Sequence, residues 1–173
     1  MELGDSLTTI LVIFLAAGLM FIFPMSAISE MNDKEALAMV QSYTTEFGNG
    51  VRTQGKLTSE MLDSFKQKLN ATGNSYDVEI ELHIADANPG KKTEDQQIGD
   101  TTYYVLYNAQ VMELLDKDGS ISLKEGDYIV IYVKNTNTTI SQMFKTVLYG
   151  ITGDQSYLIY TQYSGAILAT EQQ

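Results

Sequence analysis

The hydrophobic pattern at the start of the chain is continuous rather than periodic. The run from Ile10 to Phe23 contains no polar side chain, and no charged residue occurs between Ser6 and Ser29. Because about 20 apolar residues cross the hydrocarbon core of a bilayer as a helix, this run predicts a membrane-spanning helix. No Lys or Arg precedes Lys34 and no small-residue cleavage site follows the run, so we expect the segment to be retained rather than cleaved as a secretory signal.

A helical period follows this apolar run. Apolar residues recur at spacings of four, three and four, at Ala36, Val40, Tyr43 and Phe47. That spacing predicts an amphipathic helix that continues beyond the membrane, and Gly48 and Gly50 are predicted to stop it. A continuous helix from Ser6 to Phe47 would be about 60 Å long. Pro24 lacks a backbone donor, which predicts a bend near it.

The remaining pattern predicts a sheet with short helices. Tyr76 to Ile84 alternates apolar residues with Asp77, Glu79, Glu81 and His83, as a half-buried strand with an acidic outer face does. The other predicted strands are Thr101–Tyr107, Tyr128–Lys134, Tyr157–Tyr160 and Tyr163–Leu168. Three helices are predicted. The first begins at a cap, Thr58 or Ser59, and ends between Asn70 and Gly73; the others are Ala109–Leu115, with Asn108 as cap, and Ile140–Tyr149.

This order of elements predicts an α+β fold in which a long N-terminal hydrophobic and amphipathic helix is joined to a small antiparallel β-sheet domain with short helices. We expect the helix to occupy residues 1–48 and an extracellular globular domain to occupy residues 49–173.

Charge and composition narrow the function. The chain has Lys+Arg 11 against Asp+Glu 22, a formal net charge of −11, which argues against binding to a phosphate backbone. The absence of cysteine from the sequence excludes disulfides, thiol catalysis and Cys-ligated zinc. His83 is the only imidazole, and we interpret it as an exposed strand residue. No catalytic constellation or phosphate-binding loop is evident, so we predict no enzyme and no cofactor.

A weak calcium motif lies in the sequence DKDGSISLKE. Four residues match the third, fifth, seventh and twelfth positions of an EF-hand loop: Asp116, Asp118, Ser120 and Glu125. The first position would be Leu114, which supplies no oxygen ligand. A plain Asp-Gly turn before a strand is therefore the favoured interpretation.

The N-terminal residues carry a resemblance to a known family. Met1, Asp5, Gly18 and Pro24 look like the first residue, the fifth-position carboxylate and the two helix-interrupting positions of the type IV pilin superfamily, within which the chain resembles pseudopilin-like proteins of tight-adherence type systems in Gram-positive bacteria. The family typically has Glu where this chain has Asp5. The strings GDYIVIYVKN and YSGAILA resemble late strands of those proteins. By this resemblance, the chain is either a processed form or begins at Met1.

The resemblance implies a structural subunit of a cell-surface filament. Such a subunit is a single-pass membrane protein before assembly, forms a helical homopolymer, and works with a prepilin peptidase and pilus assembly machinery. Its fifth-position carboxylate pairs with the amino terminus of a neighbouring subunit, which would be the role of Asp5; a plain interfacial charge is the alternative. Gly18 and Pro24 either loosen the helix for packing or reflect the ordinary content of membrane helices. The competing hypothesis is a membrane-anchored binding or sensor domain, or a minor pseudopilin.

Overall fold

The computed structural model describes residues 2–85, 103–150 and 159–169, with side chains described for 6–85, 103–147, 150 and 159–169. The fold is α+β, as predicted from the sequence. The chain forms two compact units. The smaller consists of Met1–Ala36 with Thr138–Ser156, and the larger of Leu37–Asn137 with Tyr157–Gln173. The predicted division at residue 48 stays a prediction.

Helix α1 runs from Glu2 to Gln54, a length of 53 residues. The prediction that Gly48 and Gly50 stop this helix is wrong. Glycine costs about 1 kcal/mol relative to alanine inside a helix, and here the buried residues Phe47 and Val51 continue the helix across both glycines. The helix ends instead before Gly55, whose φ of 66° is a left-handed conformation that favours glycine.

In the larger unit, α1 buries one stripe of side chains. Val40, Thr44, Phe47 and Val51 are buried, whereas the predicted stripe residue Tyr43 is only half-buried. The polar Thr44 is accepted there because its hydroxyl donates to the carbonyl of Val40 at 2.7 Å.

Helix α2 spans Ser59–Asn70 and buries an apolar face. Thr58 is the N-cap, and its hydroxyl accepts a hydrogen bond from the amide of Met61 at 3.2 Å. The buried face consists of Leu62, Phe65 and Leu69. The ring of Phe65 stacks on that of Phe47 with centroids 4.4 Å apart, which joins α2 to α1.

The strands form a four-stranded antiparallel sheet and a two-stranded ribbon. The sheet has the order β3-β2-β5-β6, and β1 pairs with β4. The strands are β1 Lys56–Thr58, β2 Tyr76–Ala85, β3 Tyr103–Leu106, β4 Ser120–Ser122, β5 Tyr128–Asn135 and β6 Tyr160–Ala166. The remaining helices are α3 Asn108–Asp118 and α4 Ile140–Tyr149, of which α4 matches its predicted bounds. Strands β1 and β4 were not predicted, because three residues each are too short to show a period.

The inner face of the sheet forms the core. The register places three buried aliphatic pairs across β2 and β5: Val78 with Val133, Ile80 with Ile131, and Leu82 with Ile129. The apolar residues in the alternating pattern of β2 are therefore the ones that face the core. Residues 86–102 and 157–158, which include a predicted loop and parts of two predicted strands, lie outside the described residues.

The predicted role of Asn108 as a helix cap is wrong. Tyr107 is the N-cap of α3, and its amide donates to the side chain of Gln110 at 3.0 Å. The Asn108 side chain instead accepts from the amide of Ile80 at 3.1 Å. Because β3 ends at Leu106, opposite Leu82, Ile80 has no partner in β3 for its amide, and Asn108 supplies one.

Candidate functional site: an exposed apolar helix and the outer sheet face

The N-terminal part of α1 is long and apolar enough to span a membrane. Its most hydrophobic window has a mean hydropathy of 2.5, and 0% of that window is buried within the chain. Phe14 is 75% exposed and Met20 is 76% exposed. An apolar helix in a soluble core would be covered by its own chain. This helix fits single-pass membrane anchoring.

The predicted interface residues all fall at or near this apolar segment. Met1 lies outside the described residues, and Asp5 lies in α1 with a side chain that the structure does not describe. A Cβ atom added to Gly18 would meet nothing within 4 Å, so no other described part of the chain packs on this position. Helix α1 is continuous through Pro24. The predicted bend at Pro24 and the predicted subunit contacts stay predictions.

The apolar run ends where α4 packs against α1 within the smaller unit. The Ser29 hydroxyl donates to the carbonyl of Met25 at 2.7 Å. The carboxylate of Asp33 accepts hydrogen bonds from Thr139, at 2.9 Å, and from Ser141. Since these hydroxyls belong to the start of α4, the negative charge of Asp33 faces the positive end of that helix dipole.

An ion pair makes a second contact between these helices. Lys145 lies 3.3 Å from Glu30, the first charged residue after the apolar run. Two separate polar contacts therefore hold α4 against the segment from Glu30 to Asp33.

The outer face of the sheet is the second candidate site. The Lys134 ammonium lies 2.8 Å from Glu79 and 3.0 Å from Asp77. Hydrogen bonds to Glu79 and Asp77 raise the pKa of Lys134 well above its usual value. A concavity of about 220 Å³ surrounds this cluster and is lined by Asp77, Glu79, Glu81, Tyr132, Lys134 and Tyr160.

Tyr132 and His83 extend the outer face. Burial, together with the charge of Glu81, raises the pKa of Tyr132. His83 is half-exposed and its ring lies 3.7 Å from Glu81, in agreement with its predicted place on the outer side of β2. Among the described residues, no group of three His, Asp or Glu side chains could hold a metal ion.

The four weak calcium candidates do not share one loop. Asp116 and Asp118 are exposed residues of α3, which continues through Asp118. Gly119 then adopts a φ of 73° and leads into β4, which contains Ser120. This is the predicted turn before a strand. Glu125 is exposed beyond β4.

A groove between α1 and α2 was not predicted. It encloses about 290 Å³, and its lining includes Tyr43, Phe47, Met61 and Phe65. Lys68 and Glu46 form an ion pair of 2.9 Å at this groove. Its residues come from two helices, so no single stretch of sequence indicated it.

Comparison with known proteins does not identify a function for either candidate site. No family model, curated protein or solved structure matches this chain. The resemblance to type IV pilins therefore stays a prediction based on the N-terminal residues.

Proposed function

We propose that this chain is a structural subunit of an extracellular type IV pilus-like filament, assembled through its hydrophobic N-terminal helix. The observation that supports the proposal most is that none of the most apolar window of α1 is buried within the chain. These exposed apolar side chains need to be covered, and lipid or another chain can supply the cover.

The energetics make assembly a reasonable second state of the helix. Apolar surface gains roughly 25 cal/mol per Å² on leaving water, so the run cannot stand free in solvent once it leaves lipid. Packing against copies of itself would replace lipid by protein at a much smaller net change, because lipid tails are as apolar as the helix. A subunit of this kind could be stored in the membrane and then polymerised.

Helix α1 also contributes to the core of the larger unit. Val40, Phe47 and Val51 are buried there, and the same helix carries the apolar run without interruption. The apolar run is thus continuous with a helix that the folded domain needs, which suits a subunit that a filament holds through its helix.

Asp5 is the residue that we assign to subunit alignment. A carboxylate inside an apolar bundle is costly unless it is paired. In this proposal it pairs with the amino group of a neighbouring subunit, as the pilin resemblance implies.

Substitution of Asp5 tests this assignment. Asp5→Ala should give fewer and shorter filaments, Asp5→Glu should restore them, and Glu2→Ala serves as a nearby carboxylate control. Filaments would be counted by negative-stain microscopy at equal amounts of membrane-inserted protein. Unchanged filaments in Asp5→Ala would remove Asp5 from the proposal.

The second candidate function is a membrane-anchored binding or sensor domain, which the groove between α1 and α2 and the concavity on the outer sheet face favour. Microscopy and mass spectrometry of material sheared from the cell surface distinguish the two functions. Abundant fibres that contain this chain support the filament subunit. Recovery of the chain only from membranes supports the anchored domain.

A further inference from the structure

Helix α4 exposes an apolar stripe. Ile140 is 62% exposed, Met143 is 59% exposed and Val147 is 78% exposed. Spacings of three and four residues place these side chains on one side of a helix. The buried residue Ser141 and the ion-paired Lys145 lie elsewhere around the helix, towards α1. The stripe itself contains no charged residue.

The contacts of α4 define its level along α1. Its first residues bond to Asp33, and Lys145 reaches Glu30, so α4 runs back along α1 in the direction of the apolar run. At about 1.5 Å per residue, the uncharged run from Ser6 to Ser29 is about 36 Å long, slightly more than the hydrocarbon thickness of about 30 Å. Glu30 and Asp33 therefore come at the level of the lipid headgroups.

Apolar side chains of α1 near this level are also exposed. Met25, Ile28 and Met31 are 55%, 58% and 71% exposed. The stripe on α4 thus lies at the same height along α1 as these exposed apolar side chains. Both belong to the same compact unit.

We propose that the exposed stripe of α4 lies in the interfacial layer of the bilayer, beside the point where α1 leaves the membrane. Helices of this type bury an apolar face about 5–10 Å into the boundary between headgroups and acyl chains. The stripe carries no charge, so its partner is the apolar layer beneath the headgroups and not an anionic headgroup. This inference goes beyond the filament proposal and depends only on the membrane anchoring of α1.

The test uses depth-dependent quenching in the full-length protein. The chain contains no cysteine, so a single introduced cysteine can be labelled with an environment-sensitive fluorophore without background labelling. Met143→Cys and Val147→Cys probe the stripe, Phe14→Cys probes the apolar run, and Glu35→Cys probes an exposed position of α1 beyond Asp33. Each variant is reconstituted in phosphatidylcholine vesicles whose acyl chains carry a quencher either close to the headgroup or near the bilayer centre.

The expected result is strong quenching at positions 143 and 147 by the shallow quencher, strong quenching at position 14 by the deep quencher, and little quenching at position 35. The quenching at 143 and 147 should not change when salt is raised, since no charge attracts the stripe. Circular dichroism of each variant checks that its helix content is unchanged.

Two outcomes would overturn the inference. One is quenching at 143 and 147 that is as weak as at 35 with both quenchers. The other is protection of 143 and 147 that depends on the protein-to-lipid ratio, with energy transfer between labelled copies, because a second copy would then cover the stripe. The vesicles contain unassembled protein, so a failure to form filaments cannot produce either result.

Discussion

At the scale of single residues, Gly48 and Gly50 lie in the same helix but in different surroundings. A Cβ atom at Gly48 would come within 2.2 Å of the Tyr163 ring, whereas the nearest atom to a Cβ at Gly50 is the Met61 methyl at 3.5 Å. The Tyr163 ring is held in place, because its hydroxyl donates to Asn49 at 2.8 Å and accepts from Arg52 at 3.0 Å. Gly48 therefore allows β6 to approach α1 closely.

The two alanine substitutions are expected to have opposite effects. Gly48→Ala should destabilise the protein by about 1–3 kcal/mol, as overpacking of a fitted core does. Gly50→Ala is the matched control, and it should stabilise the helix by about 0.5–1 kcal/mol through lower backbone entropy in the unfolded chain. Denaturant unfolding in detergent measures both values. Equal effects of the two substitutions would contradict the role of Tyr163.

Asn108 has a similarly local role that stability measurements can check. Asn108→Ala would leave the Ile80 amide without its acceptor, beside a core side chain that is fully buried. The expected loss is about 1–3 kcal/mol, the usual cost of an unsatisfied buried donor. Asn70→Ala, at the exposed end of α2, is the control and should change the free energy of unfolding by less than about 0.5 kcal/mol. If both variants unfold at the same denaturant concentration, the amide is satisfied in another way.

At the scale of elements, the outer face of the sheet depends on one cation between carboxylates. Lys134 in β5 contacts Asp77 and Glu79 in β2, so Lys134→Met should lower the melting temperature and leave like charges side by side. Because the pKa of Lys134 is raised in the folded state, its contribution is complete below the ordinary lysine pKa of 10.5 and is lost as pH rises through the higher folded value.

Thermal unfolding at several pH values and salt concentrations measures this effect. The difference between the wild type and Lys134→Met should be constant from pH 7 to about pH 9, and should shrink when about 1 M salt screens the charges. Lys124→Met, at an exposed position between β4 and β5, is the control. A difference that grows with salt would show that packing, and not charge, explains the effect.

The attachment of α4 to α1 is the second prediction at this scale. Asp33→Ala removes the acceptor for Thr139 and Ser141, which are 3% and 0% exposed. A hydrogen bond to a charged group contributes about 1.5–3 kcal/mol, so the amides of α4 should exchange with deuterium about tenfold faster or more. Glu30→Ala, which breaks only the part-exposed pair with Lys145, should have a much smaller effect. Hydrogen exchange read by mass spectrometry compares the two variants, and equal exchange would mean that Asp33 does not hold α4.

At the scale of the whole molecule, the apolar run of α1 determines where the protein can exist. A chain that begins at Ser29 keeps Glu30 and Asp33 but lacks the exposed run from Ile10 to Phe23. It should stay dispersed in buffer without detergent, whereas the full chain should sediment or need detergent, because exposed apolar patches of this size drive association. Analytical ultracentrifugation of both chains measures this. The shortened chain keeps the exposed stripe of α4, so its aggregation would show that this stripe is enough to drive association without the run from Ile10 to Phe23.

The elements that the sequence determined by itself are those with a local signal. An uncharged apolar run predicted the exposed part of α1, and strict alternation predicted β2. A cap at Thr58 or Ser59, followed by helix, predicted the start of α2 to within one residue. In each case the residues that carry the signal are neighbours along the chain. Local spacing was therefore sufficient to predict them.

Other features depend on contacts between residues that are far apart in the sequence. Gly48 was predicted to stop α1, but in the structure it lies within the helix and leaves room for the ring of Tyr163, which is far away in the sequence. Asn108 was predicted to be a helix cap, but its side chain accepts from the Ile80 amide, which β3 is too short to pair. Asp33 accepts a hydrogen bond from Thr139 because α4 packs against α1. The same cause applies to all three residues. Each is placed by a contact with a residue distant in the sequence, and a local sequence pattern does not specify which distant residue that will be.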